Sequence, residues 1–335
     1  MPNTQPTTVP EAPGPTDPRV FDYMRGYVIS SIFASLEQIR VLADLADFGL
    51  RPEDVGKNNF LADAALRYLA QRGAVRPEGE LYRLTDFGRR LYEARGYLVW
   101  LWGGYGEALH RFGDLLAGPS RFGVDVDRDV RWVAVGTALM GQKDLVPQVM
   151  EVIREIEFER VADIGCGNAH FLIALCRAVG RAGLGVDISP DACAEASREV
   201  ARAGLTDRIE IVQADARDPG TVRGLEQVQL VVTFFFLHEV LEHGYGVLVD
   251  YLGQLRRRLP AGARMLTAEV CPPQCDQDTH ELGSPEYTLT QAFMNQTLLS
   301  EDGWRRAFTE AGFEVERIVR PDLPETRIYL ARKPA

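Results

Sequence analysis

Residues 161–169 read Val-Ala-Asp-Ile-Gly-Cys-Gly-Asn-Ala, and a helical apolar run, His170–Val179, follows at once. A short apolar strand, a turn with glycines at Gly165 and Gly167, and a helix make a nucleotide-binding turn. The glycines let backbone approach a ligand with no Cβ in the way. The next apolar stretch, Gly183-Leu-Gly-Val-Asp187-Ile188-Ser189, ends on an acid at the distance where a ribose-binding carboxylate belongs. Asp187 can accept from both ribose hydroxyls, and Ile188 beside it joins the candidate cofactor-binding set. A helix-capping Asp is the plain structural alternative.

Two classes of cofactor share this turn. Dinucleotide enzymes favour three glycines and a pyrophosphate over the helix N-terminus. Here Ala169 holds the third position and Asp163 ends the strand. A carboxylate beside the loop suits an ammonium better than a pyrophosphate. S-adenosyl-L-methionine carries an ammonium and a sulfonium, so charge favours it as the cofactor. Downstream, Gln213-Ala-Asp215-Ala216-Arg217 places an acid after a third strand. Asp215 can accept from an adenine amino group while backbone at Ala216 reads the ring edge; a simple loop Asp is the alternative.

The fourth motif is Thr233-Phe234-Phe-Phe-Leu-His238-Glu239-Val240, at the carboxyl end of a fourth strand. Open α/β sheets bind ligands outside these strand ends, so Phe234 is a cofactor-binding candidate. His238 is the candidate general base, since an imidazole with an ordinary pKa near 6.5 can take a proton at neutral pH. Glu239 is the second catalytic candidate. It can orient His238, bind a substrate amine, or cap the next helix.

Further strands are expected at Val161–Ile164, Gly183–Asp187, Ile209–Gln213, Leu230–Phe235, Met265–Ala268, Phe313–Arg317 and Arg327–Leu330, with helices between. This alternation predicts an α/β, Rossmann-like, doubly wound seven-stranded domain over 146–335, its last two strands forming an antiparallel edge. Residues 1–18 are proline-rich and polar, and are expected to be a disordered tail. Residues 19–145 are expected to be a mainly helical, winged-helix-like domain for dimerisation and substrate capping. Within it, a helix over Asp63–Arg72, strands Ala74–Arg76 and Leu81–Leu84, and a helix from Phe87 capped by Thr85 or Asp86 give the order helix, hairpin, helix.

A winged helix raises the possibility of DNA binding. The segment's arginines are offset by Asp63, Glu78, Glu80 and Asp86, and the whole chain carries a net charge of −11. Duplex binding runs on cations neutralising phosphates, so no nucleic acid is expected. From Tyr97 the chain reads YLVWLWGGYGEALH to His110. Its aromatics are either core or the wall of a pocket for a flat or apolar substrate, which makes Trp102 and Tyr105 substrate-binding candidates. Tyr23 and Tyr27 on the first helix are candidates to cap that pocket in a dimer. No apolar run of ~18 residues predicts a membrane span, and no secretory signal is recognised at the N-terminus. Five scattered cysteines read as reduced thiols, so the expected location is cytoplasmic. Cys271, Cys275 and His280 have a spacing uncommon for zinc, and no metal is expected.

These ordered motifs resemble the class I S-adenosylmethionine-dependent methyltransferases. With the helix–hairpin–helix segment, the chain from about residue 20 is similar to small-molecule methyltransferases with an N-terminal dimerisation domain. These include plant-type O-methyltransferases and bacterial natural-product enzymes. In the O-methyltransferases a His followed by an acid after strand four is the catalytic base, and His238-Glu239 matches it. The chain also resembles bacterial C-methyltransferases of the 2-ketoarginine and phenylpyruvate type. That likeness rests on FFFLHEV (234–240), RDVRWVAVGTALMG (128–141) and PEYTLTQAFMNQTLLSEDGWRRAFTEAG (285–312). Phenylpyruvate-type enzymes place a second metal-binding His in the last segment; here Gln291, Asn295 and Gln296 stand there. The resemblance therefore implies a homodimer that methylates a small molecule in bacterial secondary metabolism. Carbon is favoured: an electron-rich aromatic such as indole C3, or the β-carbon of a 2-oxo acid. Asn295 and Gln296 are candidates for substrate polar groups, helix-surface amides being the alternative, and Gln291 is a further substrate-binding candidate. An O- or N-methyltransferase, and more distantly a winged-helix regulator, are the competing readings.

Overall fold

The computed structural model describes residues 17–272 and 284–334. The expected tail up to Thr16, and Cys275 and His280, lie outside the described residues. The chain divides into two units: the described residues up to Gly113 with Asp127–Leu139, and Asp114–Val126 with Met140 onward. The division falls inside the helix Val130–Asp144.

In the first unit, helix Val20–Gln38 is followed by a short helix Leu42–Asp47, with Arg40 at φ 63° between them. Helix Asn59–Gln71 starts before the expected Asp63, because Asn58 Oδ1 accepts the Leu61 N–H at 3.1 Å and caps the end there. Strands β1 (Val75–Glu78) and β2 (Leu81–Leu84) pair antiparallel around Gly79-Glu80, with Gly79 at φ 64°. Leu50 bridges to Tyr82 beside them. Thr85 Oγ1 accepts the Gly88 N–H at 3.1 Å and caps helix Asp86–Glu93. Phe33, Leu36, Leu42, Leu45, Leu69, Val75 and Leu84 form the core beneath.

Gly88 is pressed against that hairpin. A Cβ there would lie 1.9 Å from the Ala74 carbonyl oxygen, which is backbone and cannot swing aside. Gly88→Ala is expected to destabilise the protein by about 1–3 kcal/mol or more. A urea-denaturation midpoint equal to that of the parent would reject this packing.

In the second unit the strands are β3 (Arg160–Ile164), β4 (Ala182–Asp187), β5 (Ile209–Gln213), β6 (Leu230–Phe234), β7 (Arg264–Val270), β8 (Glu314–Val319) and β9 (Thr326–Arg332). All lie where the sequence predicts strands, with ends displaced by one or two residues. The sheet order is β5-β4-β3-β6-β7-β9-β8. β5 to β7 pair in parallel, and β9 runs antiparallel to both neighbours. The expected antiparallel edge of the last two strands is present, with β9 inserted between β7 and β8. The outer strand β8 is ladder-like in charge: Glu316 takes Arg264 at 2.8 Å and Arg332 at 2.9 Å, and Arg317 pairs with Glu155 at 2.6 Å.

Trp304, Phe308 and Tyr329 pack with Tyr251, Leu252 and Leu255 in the core of this unit, and Trp304 Nε1–H donates to the Val270 carbonyl at 2.9 Å. The order reverses between β3 and β6. Loops leaving the carboxyl ends of these two strands diverge, and the crevice between them is where such sheets hold ligands. No described helix is long and apolar enough to cross a membrane.

Candidate functional site

The turn after β3 winds left-handed at three positions: Gly165 (φ 77°), Gly167 (φ 53°) and Ala169 (φ 61°). The Gly165 and Cys166 N–H groups both donate to the Val186 carbonyl, at 2.8 and 3.0 Å, which pins the loop to the end of β4. No atom lies within 4 Å of where a Cβ at Gly165 or Gly167 would stand. The glycines therefore open a cradle rather than relieve a clash.

Asp187 organises the rim. Its Oδ2 accepts the Gly167 N–H and its Oδ1 the Ser189 N–H, each at 2.9 Å. An ionised carboxylate has about four lone-pair sites, so each oxygen retains capacity for a ligand hydroxyl. Ser189, not Asp187, caps the next helix, through a bond from the Ala192 N–H at 3.2 Å. The helix-capping alternative for Asp187 is thus overturned. Ile188 is exposed beside it.

Asp163 is 4% exposed. Burial, and then the neighbouring Asp187 charge, push its carboxyl up to about 7. A buried acid of this kind has a strong preference for a cationic ligand. Cys166, between the two glycines, is a buried thiol pushed well up by burial, so it packs rather than reacts.

Asp215 is more committed than the sequence suggests. Its carboxylate accepts from the Arg217 N–H at 3.0 Å and from the Arg217 guanidinium at 2.9 and 2.8 Å. Hydrogen bonding from Arg217 holds it below the usual carboxylate range. Ala216 is buried next to it.

Across the crevice, Phe234 ends β6 and meets Phe171 edge-on at 5.0 Å. Phe171 lies in the first turn of helix His170–Val179, so these rings connect the two walls of the switch point. Phe235 then turns left-handed at φ 57°, rare for a bulky residue, and the chain enters the short helix Leu237–Leu241. His238 lies in its first turn.

The partner of His238 is one the sequence reading missed. Nδ1–H donates to Glu269 Oε2 at 3.0 Å, and the other oxygen of Glu269 accepts the Leu237 N–H at 2.7 Å. Glu269 is fully buried near the end of β7. Glu239 is exposed and has no hydrogen bond to His238. Orientation of the ring, one role considered for Glu239, therefore belongs to Glu269. The signal is an acid inside a buried, largely apolar strand, but the expected β7 ends at Ala268, one residue short. Burial opposes charge on His238; the Glu269 hydrogen bond and charge, then Glu239 and Glu242, outweigh it and raise the imidazole pKa.

The remaining candidates are distributed as follows. Tyr105 is 1% exposed in the first unit; its ring lies 5.0 Å from Trp100 and its hydroxyl accepts from Arg128 at 3.5 Å. It packs in the core of that unit, as the core reading of its aromatic cluster expects. Trp102 is half-buried in the π-helix Val99–Gly104. Tyr23 and Tyr27 are exposed on helix Val20–Gln38. Gln291 is buried in helix Ser284–Phe293, and Asn295 lies beyond its end at φ 51°. The Gln291 amide is thus not on the surface, whereas Asn295 is exposed. Among the described residues no three His, Cys, Asp or Glu side chains are placed to hold a metal.

Comparison with known proteins fits this geometry. The family described as "Methyltransferase domain" matches residues 161–262, from the start of the glycine turn to the loop before β7. The chain is 30% identical over 273 residues to 2-ketoarginine methyltransferase of Streptomyces arginensis, covering 78% of this chain and 77% of that one. It is 29% identical over 324 residues to indolepyruvate C-methyltransferase of Streptomyces griseus, covering 90% and 94%. Among solved structures, the mitomycin 7-O-methyltransferase superposes with a TM-score of 0.66 at 18% identity, over 94% of this chain and 97% of that one. A methyltransferase of calicheamicin biosynthesis, solved in its SAH-bound form, gives 0.66 at 21% identity over 95% and 97%. At such identities these two speak to fold alone.

Proposed function

Because the chain belongs to the class I S-adenosylmethionine-dependent methyltransferases of natural-product type, we propose that it methylates a small 2-oxo acid at its β-carbon, with His238 as the base. The His238–Glu269 dyad carries this reading. Glu269 takes Nδ1–H, which fixes the tautomer and leaves Nε2 as the proton acceptor. Both relatives are named for 2-oxo acids and the second for C-methylation, which favours carbon as the acceptor atom. The net charge of −11 favours a small molecule over a nucleic acid.

When bound, S-adenosylmethionine supplies an electrophilic methyl on a sulfonium leaving group. The residues present fit it: an open glycine cradle, a rim carboxylate with spare lone pairs, and a buried acid suited to an ammonium. Asp187 holds the ribose hydroxyls, Asp163 the methionine ammonium, and backbone around Asp215 and Ala216 the adenine. His238 Nε2 removes the β-proton of the acceptor, activated by the adjacent carbonyl. Glu269 stabilises the imidazolium that results. The bound cofactor would supply the methyl that this carbon accepts, one C–H and one S–C bond breaking as one C–C bond forms, with the proton left on His238. The enzyme's main contribution is position and exclusion of water.

Methyl transfer from ¹³C-methyl cofactor to a 2-oxo acid tests the acceptor atom. The labelled methyl is expected in the carbon-bound aliphatic region of the NMR spectrum. A resonance in the O-methyl or N-methyl region would overturn carbon as the target. Pairing of two copies is assigned to helix Val20–Gln38, whose Phe21, Tyr23, Met24 and Tyr27 are exposed; sedimentation at the mass of one chain would count against it.

Asp163 makes cofactor binding pH-dependent. Its raised pKa means that the free protein holds a proton there below about 7, and that proton must leave when the ammonium arrives. Affinity is expected to rise roughly tenfold per pH unit as pH climbs towards 7, then to level off. Calorimetry below pH 7 in buffers of different ionisation heat should register proton release. A pH-independent affinity with no release would remove Asp163 from the ammonium site.

A further inference from the structure

The segment after helix Ser284–Phe293 holds polar atoms that the reaction above does not use. The Met294 and Gln296 N–H groups both donate to the Gln291 carbonyl, at 3.1 and 3.3 Å, so the two glutamines share one turn. The Gln296 side-chain NH₂ donates to Glu242 Oε1. A carboxylate can only accept, so this bond fixes which way the Gln296 amide faces. Its Oε1 is then buried without a donor among the described residues. The Gln291 Oε1 is likewise buried without a donor, on a side chain only 5% exposed.

Glu242 belongs to the catalytic neighbourhood. Its N–H donates to the His238 carbonyl at 3.2 Å, one helical turn on, and its charge acts on the imidazole. Two unsatisfied amide oxygens and the exposed carboxylate of Glu242 thus lie on connected residues, tied through the Glu242 N–H to the helix that carries the base. Each buried acceptor left unpaired is destabilising. A partner that offers hydrogen-bond donors would relieve that cost; a hydrocarbon side chain would not.

We propose that Gln291, Gln296 and Glu242 form a subsite that selects acceptors carrying an N–H donor, a guanidinium or an indole N–H, on the end remote from the reacting carbon. The subsite rests on the 2-oxo acid reading above and adds the discriminating chemistry of the side chain. A site built to satisfy a donor rejects analogues that lack it more strongly than an apolar pocket rejects a missing methylene.

Binding tests the subsite independently of turnover. The protein, saturated with S-adenosylhomocysteine, is titrated calorimetrically with two matched pairs. One is 5-guanidino-2-oxopentanoate against 2-oxohexanoate; the other is indole-3-pyruvate against naphthylpyruvate. At least one donor-bearing probe is expected to bind roughly tenfold tighter or more than its donor-free partner, and the pair that shows it names the source of the N–H. The preference should disappear in Gln296→Leu and in Glu242→Gln, whose folding is read from an undiminished S-adenosylhomocysteine affinity. Donor-free probes binding as tightly as their partners, or a preference that persists in Gln296→Leu, would overturn the subsite. A preference observed without any carbon methylation would uphold the subsite and sink the carbon-transfer reading instead.

Discussion

His238→Ala is expected to lower kcat by roughly 10²–10⁴ while leaving affinity for S-adenosylmethionine unchanged. The ring stands at the carboxyl end of β6, and its contact runs to Glu269 on β7, not to the glycine cradle of β3 and β4. Its loss should therefore be felt in the chemical step and not in cofactor binding. The pH profile separates this from a general loss of structure. With the imidazole pKa raised, activity should fall as pH drops through a value above the ordinary 6.5, because the base is then protonated. Glu269→Gln removes the partner that offsets burial, so the same acid limb should move to lower pH while kcat falls. A His238→Ala enzyme with near-normal turnover, or an acid limb indifferent to Glu269, would remove the dyad from the mechanism.

Asp187→Ala is expected to weaken cofactor binding by roughly 10²–10⁴. Two charge-assisted hydrogen bonds to ribose are worth about 1.5–3 kcal/mol each, and every 1.4 kcal/mol is about tenfold. Part of the effect comes through the loop, since the same carboxylate holds the Gly167 N–H. Asp187→Asn helps to apportion it. An amide has one acceptor oxygen and cannot take both the Gly167 and Ser189 N–H groups, so the loop should loosen even where a ribose contact survives. Removing the charge also relieves Asp163, whose pKa should fall. Unchanged affinity by calorimetry in Asp187→Ala would reject the ribose assignment.

Much of the second unit was legible because its signals are local. Buried parallel strands read as short apolar runs, and the left-handed turn requires glycines at Gly165 and Gly167. Ala169 shows that the third left-handed position needs no glycine, and this is the position at which a dinucleotide turn would differ. What escaped depends on contacts between distant residues. The His238–Glu269 bond spans 31 residues of sequence and joins the helix after β6 to the adjacent strand β7, so no spacing rule points to it. Tyr105 shows a different ambiguity. Its aromatic cluster looks the same in sequence whether it lines a pocket or fills a core, and only its burial against Trp100 distinguishes the two. Similarly, nothing local shows that Arg217 claims the carboxylate of Asp215.

The charges along β8 bear on a different hazard. An outermost strand offers unpaired backbone groups that can recruit another chain edge to edge. Glu314, Glu316 and Arg317 stand along it and are tied to Arg332, Arg264 and Glu155. Docking a second strand would have to strip or confront these ions. Replacing Glu314, Glu316 and Arg317 with Thr or Val should therefore leave the crevice intact and show itself as turbidity in concentrated solution.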